Sequence, residues 1–438
     1  MALSSPEAQP HGLLRLTHDV GSCLVRLSDV RPPADAPPSR RSGEHADVVV
    51  DAAFVLFGTL LLFNIQANAQ SENNRVITTG VPFLLISGDA RASGIGDMGA
   101  ASSPDTYSQQ WNPAKYAFAL DQQGIAVSYT PYLRELVNDI NIGTLTYYNR
   151  FSERSAVAGS LKYSSYGDIE LRETPDQQPL LVKPNELALD LGYSLKLSER
   201  FSMGVTGRYI RSDLQIQSTN NDASAANTFG VDVSAYYQSE EIAYNNFDGR
   251  WRAGVNISNI GPKIKYDDAG QESFIPTNFR LGVGHDFILD FDNKISAIVE
   301  VNKLLVPTPP AVDEDMDGQL SEEDEQAIRD YNNTSSFGAI FSSWGDAPDG
   351  FSEELKEFTW AIGAEYWYQD SFAFRAGYFN ESDEKGFRKF ATIGAGFRYS
   401  LATIDVSYLF STSQTQNPLE GTLRFSLAFN FGDTWDEY

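Results

Sequence analysis

The hexapeptide "GIGDMG" at residues 94–99 has the G-x-G-x-x-G spacing of loops that hold a dinucleotide pyrophosphate. That chemistry requires the loop to leave a strand directly and to open a helix, because the helix N–H groups must face the phosphate. Here the nearest strand-like run, residues 81–86, is separated from Gly94 by residues 87–93, and Pro104 would stop a helix soon after the motif. We therefore predict that these glycines serve a purpose other than nucleotide binding.

An acidic stretch at residues 313–324, "DEDMDGQLSEED", has the spacing of a calcium-binding loop. Gly318 at the sixth position permits the sharp turn that brings several carboxylates onto one ion. The twelfth position is aspartate instead of the usual bidentate glutamate, and the prolines before the loop exclude a paired EF-hand. The candidate ligands are Asp313, Asp315, Asp317, Gln319, Ser321 and Asp324. Two interpretations stay open, a structural calcium ion and a solvated acidic loop.

Histidine content bears on possible hydrolase chemistry. A nucleophilic serine would need a histidine to activate it, and His285 is the only histidine after residue 70. By alternation it shares a face with Leu281, Val283 and Phe287, near the end of a strand. We predict that His285 lies at a membrane interface, that the chain has no catalytic residues, and that the protein is not an enzyme.

The net charge and the N-terminal region indicate which partners the protein is expected to lack and that it is secreted across the inner membrane. The formal net charge is −26, which disfavours nucleic acid as a partner because phosphates would be repelled. Residues 52–65 are mostly apolar and precede the small-x-small triplet 67–69, the pattern of a secretory signal peptide too short to span a membrane. We predict that residues 1–69 are a signal peptide with a spurious upstream extension, so that the mature chain begins at Gln70. The single cysteine, Cys23, would be lost with them.

After Gln70 no stretch approaches eighteen apolar residues, and the recurring pattern is a period-two alternation over about ten residues. In "TLRFSLAFNF" at 422–431, leucine and phenylalanine alternate with mostly polar residues. Fourteen such segments are predicted as strands: 122–131, 138–150, 155–165, 186–197, 201–217, 227–238, 249–259, 277–289, 294–303, 357–367, 371–380, 388–399, 402–411 and 420–432.

The connections between these strands alternate between tight turns and long loops, the longest being 304–356. Outer-membrane barrels have this asymmetry, with short periplasmic turns and long extracellular loops. We therefore predict an all-β fold, a 14-stranded antiparallel transmembrane β-barrel over residues 122–438, with both termini periplasmic. Cationic side chains on the polar faces would line the lumen, either as a path or as a salt-bridged plug: Lys162, Arg208, Arg280, Arg375 and Arg424.

Residues 70–121 do not alternate and are rich in glycine, alanine and serine. Such a segment can fold back into the lumen as a hatch, because small residues let its backbone run close to the barrel wall. Its stretches 89–105, "DARASGIGDMGAASSPD", and 111–118, "WNPAKYAF", resemble the N-terminal hatch of the FadL-type transporter superfamily. With 128–143, 301–310 and 345–368, the chain is more narrowly similar to the PorV family of the type IX secretion system of Bacteroidota.

This resemblance implies roles for particular residues. The hatch would plug or shape the lumen, and the first extracellular loop would contact partners. The residues concerned are Asp89, Arg91, Gly94, Gly96, Gly99, Trp111, Asn112, Pro113 and Ala114 in the hatch, and Pro131, Leu133, Arg134 and Asp139 in the loop.

The resemblance also implies a function. Such proteins receive substrates with a C-terminal sorting domain at a SprA-type translocon and deliver them to an attachment complex containing a PorU-type sortase. The protein would reside in the outer membrane, in contact with its lipid, and require no cofactor beyond a structural calcium ion. Two alternatives stay open: hydrophobic solute transport, as in the superfamily, and lipid A deacylation.

Overall fold

The computed structural model describes residues 75–132, 139–171, 178, 180–214, 225–266, 272–310, 321–413 and 420–435. Several predicted features lie outside these ranges, namely the signal peptide 1–69, Leu133 and Arg134 of the contact loop, and Asp313, Asp315, Asp317 and Gln319 of the acidic loop. Among the described residues, the helices are all too short or too polar to cross a membrane.

Fourteen antiparallel strands form the main sheet, as the alternating segments predict. Their bounds agree closely with the sequence pattern, although the strand predicted at 201–217 ends at Asp213. The strands are β1 (Asp121–Pro131), β2 (Ile140–Arg150), β3 (Ser155–Tyr166), β4 (Asn185–Ser198), β5 (Phe201–Asp213), β6 (Ala226–Gln238), β7 (Asp248–Ile260), β8 (Asn278–Ile288), β9 (Asn293–Leu304), β10 (Phe358–Tyr368), β11 (Phe372–Asn380), β12 (Lys389–Tyr399), β13 (Ala402–Ser411) and β14 (Leu423–Thr434).

The sheet closes on itself. Each strand pairs with the next along the chain, and β14 pairs antiparallel with β1, with Ala428 opposite Ala126. Closure leaves no unpaired edge among these strands, which is the condition for a sheet to lie in hydrocarbon.

Exposure alternates along the strands in the sense opposite to that of a soluble protein. In β14, Phe425 is 45% exposed, whereas the neighbouring Arg424 is 1% exposed. The apolar face therefore points outward to lipid and the polar face points into the lumen.

The two ends of the barrel differ. At one end, called here the short-turn rim, strands are joined by connections such as 151–154, 199–200 and 289–292. At the other end, the long-loop rim, the connections include 261–277 and 305–357. There are three further short strands among the described residues. Ile169–Leu171 and Leu180–Val182 pair with each other in a separate sheet, and Ile242–Ala243 pairs with the start of β7 in the main sheet.

Five helices and two 3-10 turns complete the described chain. The segment before β1 contains α1 (Ala90–Gly94), α2 (Ser108–Trp111) and the 3-10 turns Pro82–Leu85 and Pro113–Phe118. The interpretation of 81–86 as strand-like is wrong, because Pro82 opens a 3-10 turn after Val81 at φ 48°. The connection 305–357 contains α3 (Glu322–Asn333), α4 (Ser336–Ser342) and α5 (Phe351–Lys356).

Candidate functional site: the lumen and its hatch

Residues 75–120, called the hatch from here on, run through the barrel from one rim to the other. Arg75 lies at the long-loop rim, where its guanidinium donates to Glu353 of α5 at 2.8 and 3.0 Å. At the other end, Ala119 accepts a hydrogen bond from Arg150 at 2.6 Å, next to the short-turn rim. The hatch therefore crosses the whole lumen before β1 begins, so that the described chain starts at the long-loop rim whereas β1 begins and β14 ends at the short-turn rim. That both termini are periplasmic stays a prediction.

Asp89 and Trp111 connect two parts of the hatch. Asp89 caps α1 by accepting from the Ala92 N–H at 2.7 Å, and its second carboxylate oxygen accepts from the Trp111 indole N–H at 2.6 Å. The Arg280 guanidinium of β8 lies 4.6 Å from the centroid of the Trp111 ring. Since all these groups are buried or nearly so, the contacts fix the fold of the hatch against the wall.

Arg91 attaches the hatch to the wall through a buried ion pair. It forms an ion pair with Glu365 of β10 at 2.7 Å and another with Asp105 at 2.8 Å. Glu365 in turn pairs with Arg375 of β11 at 2.6 Å, and Arg375 pairs with Asp405 of β13 at 2.7 Å. Two arginines and three carboxylates thus form one buried network that spans hatch and wall.

The glycines of "GIGDMG" allow close approach between the hatch and the barrel wall. Gly96 has φ +90°, and a Cβ there would lie 3.2 Å from the Tyr378 backbone of β11. A Cβ on Gly94 would lie 3.2 Å from the Gly394 Cα, and one on Gly99 would lie 2.3 Å from the Trp111 ring. Here the motif serves backbone packing.

The Asn-Pro-Ala turn at 112–114 also joins hatch and wall. The Asn112 side chain accepts from the Ala114 N–H at 3.1 Å and donates to the carbonyls of Ala100 at 2.9 Å and Ala235 of β6 at 3.0 Å. Pro113 occupies the first position of the 3-10 turn that follows, where its missing N–H is not needed. Ala114 packs with Phe118 and Tyr236.

The five cationic residues that the sequence placed in the lumen are all paired. Lys162 donates to the Ile86 carbonyl of the hatch. The arginine partners are Asp190 at 2.7 Å and Asp232 at 3.0 Å for Arg208, Glu300 at 3.4 Å for Arg280, Glu365 and Asp405 for Arg375, and Asp97 at 2.9 Å for Arg424. The four arginines are salt-bridged and Lys162 is hydrogen-bonded to the hatch, an arrangement that fits the plug interpretation.

Little space remains between hatch and wall where Leu84 and Tyr107 face Lys162 and Arg208. The cavity there has a volume of about 20 Å³. That is about the room one water molecule needs.

A second charged cluster lies at the long-loop rim. Lys303 of β9 pairs with Glu354 at 2.7 Å and Glu357 at 2.6 Å, and Lys385 pairs with Glu353 at 2.6 Å. Burial opposes ionisation of Glu353, but the hydrogen bonds from Arg75 and Lys385 outweigh it and lower its pKa to about 2.

This cluster also contains the described carboxylates best placed for a cation. Oxygens of Asp346, Glu354 and Glu357 lie within 4.8 Å of one another. The Lys303 ammonium pairs with two of them, Glu354 and Glu357. Of the predicted calcium ligands, Ser321 and Asp324 are described: Ser321 is the N-cap of α3 and Asp324 lies in its first turn, and together they form a capping box.

The predicted contact loop is described only at its ends. Pro131 closes β1, and Asp139 accepts from the Asp168 N–H at 3.0 Å, which ties the loop to the neighbouring connection. His285 faces outward as predicted, opposite Trp251, with the two rings 4.4 Å apart. Among the described residues its Nδ1 has no hydrogen-bond partner, and aromatic rings surround it, so no hydroxyl is aligned there for activation.

The anionic partners in the lumen were not among the predicted site residues. Asp105, Glu365 and Asp405 hold Arg91 and Arg375, and Asp97 holds Arg424. Their signal was present, because charged residues on the polar face of a barrel strand must find partners in the lumen.

Comparison with known proteins agrees with this architecture. The family described as type IX secretion system protein PorV matches residues 68–311, more than half of the 438 residues. The chain belongs to the PorV family. It is therefore an outer-membrane β-barrel of the type IX secretion system.

No curated protein matches this PorV family chain. Solved structures with a similar barrel include the Pseudomonas putida toluene transporter TodX (12% identity, 81% of this chain, 98% of TodX, TM-score 0.44). Others are the Ralstonia pickettii toluene transporter TbuX (11%, 80% and 100%, TM-score 0.42) and a Pseudomonas aeruginosa FadL homologue (12%, 82% and 100%, TM-score 0.38). At these values they carry no argument about function.

Proposed function

We propose that this protein shuttles secreted proteins that bear a C-terminal sorting domain from a SprA-type translocon to a cell-surface attachment complex with a PorU-type sortase. Membership of the PorV family supports a place in type IX secretion. The observation that carries the proposal is the plugged lumen. When a hatch crosses the interior of a barrel and buried ion pairs hold it there, the outer surfaces of the barrel are the ones available to bind other proteins.

Orientation follows from this proposal. The long-loop rim faces the outside of the cell, where folded substrates and the attachment complex are located, and the end of β14 faces the periplasm. The N-terminal part of the hatch, at Arg75, then lies on the extracellular side, held by α5.

Partner recognition is assigned to the long-loop rim. The contact loop between β1 and β2 comprises Pro131, Leu133, Arg134 and Asp139. Its described ends, at Pro131 and Asp139, lie at that rim, with Asp139 beside the Asp168 connection. Because Asp139 holds two connections together, its loss would disturb both, whereas Arg134 is the sharper probe of contact.

The test is capture of partners from mild-detergent extracts of cells that produce the tagged full-length protein, followed by mass spectrometry. We expect enrichment of the translocon, the sortase complex and proteins with the sorting domain. Arg134→Glu should reduce that enrichment while the barrel keeps its heat-modifiable migration on gels. Arg329→Glu, on the exposed helix α3 of the 305–357 connection, serves as the matched charge reversal.

Two results would contradict the shuttle. Binding of long-chain lipids or hydrocarbons by the purified barrel, with no secreted protein captured, would support solute transport instead.

We also propose that the protein has no catalytic role, so His285→Ala should leave the lipid A acylation pattern unchanged. A changed pattern would make the protein a deacylase.

A further inference from the structure

Two helices of the 305–357 connection, α4 and α5, carry large apolar side chains on the side away from the protein. In α4, Ala339 is buried against Phe274 and Val306, whereas Phe337 and Phe341 are 69% and 66% exposed. Residues two positions before and after Ala339 lie on the opposite face of a helix, because each residue turns the chain by about 100°. The exposed face of α4 is therefore the apolar one.

The next helix repeats this arrangement. In α5, Glu353 and Glu354 are buried in the charged cluster at the rim, whereas Phe351 and Leu355 are 76% and 54% exposed. Phe351 and Leu355 are four residues apart and share one face. Two consecutive helices thus bury polar or small residues and expose large apolar ones, which is the pattern of a surface that meets an apolar medium.

Trp344, between these helices, shows which surface of the barrel the segment packs against. Its ring centroid lies 5.5 Å from that of Phe279 in β8 and 6.1 Å from that of Phe358 in β10. Both phenylalanines pair with Lys303 across the strands and continue the outward face of Leu281. The segment therefore packs on the outside of the wall, in continuity with the lipid-facing surface.

The burial of Lys303 shows how the helical part of the 305–357 connection stabilises the barrel wall. Its position in β9 places it on the outward face, yet it is buried beneath the segment and paired with Glu354 and Glu357. A lone ammonium facing acyl chains would be costly. The segment supplies its counter-charges and covers it.

We propose that residues 336–356 form an interfacial anchor, with Phe337, Phe341, Phe351 and Leu355 inserted at the acyl-chain boundary of the leaflet next to the long-loop rim. Short helices with aromatic and leucine side chains on one face bind membranes in this way. The occupant of this surface is lipid. The proposal rests on the barrel and its outward face and is independent of the shuttle role.

The test uses the full-length chain with Cys23→Ser as background and a nitroxide attached at Phe337→Cys or Phe341→Cys, reconstituted in phospholipid vesicles. The accessibility of the label to oxygen, relative to a water-soluble nickel chelate, reports depth in the membrane. Ile362→Cys, on the outward face of β10, gives the lipid reference, and Glu323→Cys, on exposed α3, gives the water reference.

We expect the oxygen-to-nickel ratio at both positions to exceed that at residue 323 several-fold and to approach that at residue 362. A ratio equal to that at residue 323 would overturn the anchor and assign the surface to a protein partner absent from the vesicles. Heat-modifiable migration verifies folding, and Phe351→Cys provides a second label site should either α4 variant fail to fold.

Discussion

Arg91 of the hatch and Glu365 of β10 form a two-pronged ion pair, with Nε donating to Oε2 at 2.9 Å and Nη2 donating to Oε1 at 2.7 Å. Both side chains are buried, and 274 positions separate them in the sequence. Paired donors on a planar guanidinium fix orientation as well as distance. This contact therefore holds the hatch in one position across the lumen.

Removal of the Arg91 charge should loosen the plug. In Arg91→Met, Asp105 loses its hatch partner and Glu365 keeps only Arg375, and breaking a buried pair costs about 3 kcal/mol or more. We expect several-fold more frequent channel openings in planar bilayers than for the wild-type barrel. Arg200→Ala, which removes an exposed pair with Glu240 at a turn, should leave conductance unchanged. Equal conductance of Arg91→Met and wild type would show that the pair does not hold the plug.

Backbone contact gives a second way to displace the hatch. A Cβ added at Gly377 of β11 would lie 2.1 Å from the Ile95 carbonyl carbon and 2.2 Å from the Gly96 nitrogen. Gly377→Ala should therefore shift residues 95–96 and increase protease cleavage of the hatch in the purified barrel. A Cβ at Gly207 of β5 meets nothing within 4 Å, so Gly207→Ala is the matched control. Cleavage at the same rate in both variants would argue against close packing at Gly377.

The barrel was predictable because alternation is a local property of each strand. Phe425 and Phe429 of β14 face lipid, as the alternating pattern predicts. The sheet must then close, because in lipid the backbone groups of every strand need a hydrogen-bonded neighbour on both sides, and β14 indeed pairs with β1. The hatch was recognisable by its composition and by the Asn-Pro-Ala turn, which the structure places against β6.

The remaining features depend on contacts between distant residues. The sequence around Arg91 does not indicate that Glu365 is its partner. Likewise, the sequence around Arg75 does not indicate that Arg75 contacts α5, at the rim opposite to the one where β1 begins. Outward positions of the strands carry mostly apolar residues, but Lys303 is an exception because a separate helical segment covers it. The sequence of β9 alone does not reveal that this segment packs there. Pairings of this kind are set by the closed three-dimensional arrangement.

The attachment of the N-terminal part of the hatch should depend on pH. Hydrogen bonds from both Arg75 and Lys385 lower the pKa of Glu353 to about 2 from its ordinary 4.5, so the part due to Arg75 stabilises docking of the hatch fully above pH 4.5. That contribution falls as pH decreases from about 4.5 to 2, because the undocked carboxylate takes up a proton first. A nitroxide at Val76→Cys should report rising mobility over this window. Adding Glu353→Gln should give high mobility already at neutral pH, and a label that stays immobile at pH 2 would contradict the pairing.

The acidic loop should bind calcium when the protein is intact. Ser321 accepts from the Asp324 N–H at 3.1 Å, and Asp324 accepts from the Ser321 N–H at 2.8 Å, so positions 9 and 12 of the loop are fixed at the start of α3. In calcium loops these positions carry the last ligands at the start of the exiting helix.

We expect calorimetry on the full-length protein to show binding with a dissociation constant of about 10⁻⁴–10⁻³ M, as in extracellular modules. Asp313→Asn with Asp315→Asn should abolish the heat, because both variants remove carboxylate charge from the first ligand positions. Asp330→Asn, a matched change on α3 outside the loop, should retain it. An absence of heat at several millimolar calcium would assign residues 313–324 to a solvated acidic surface.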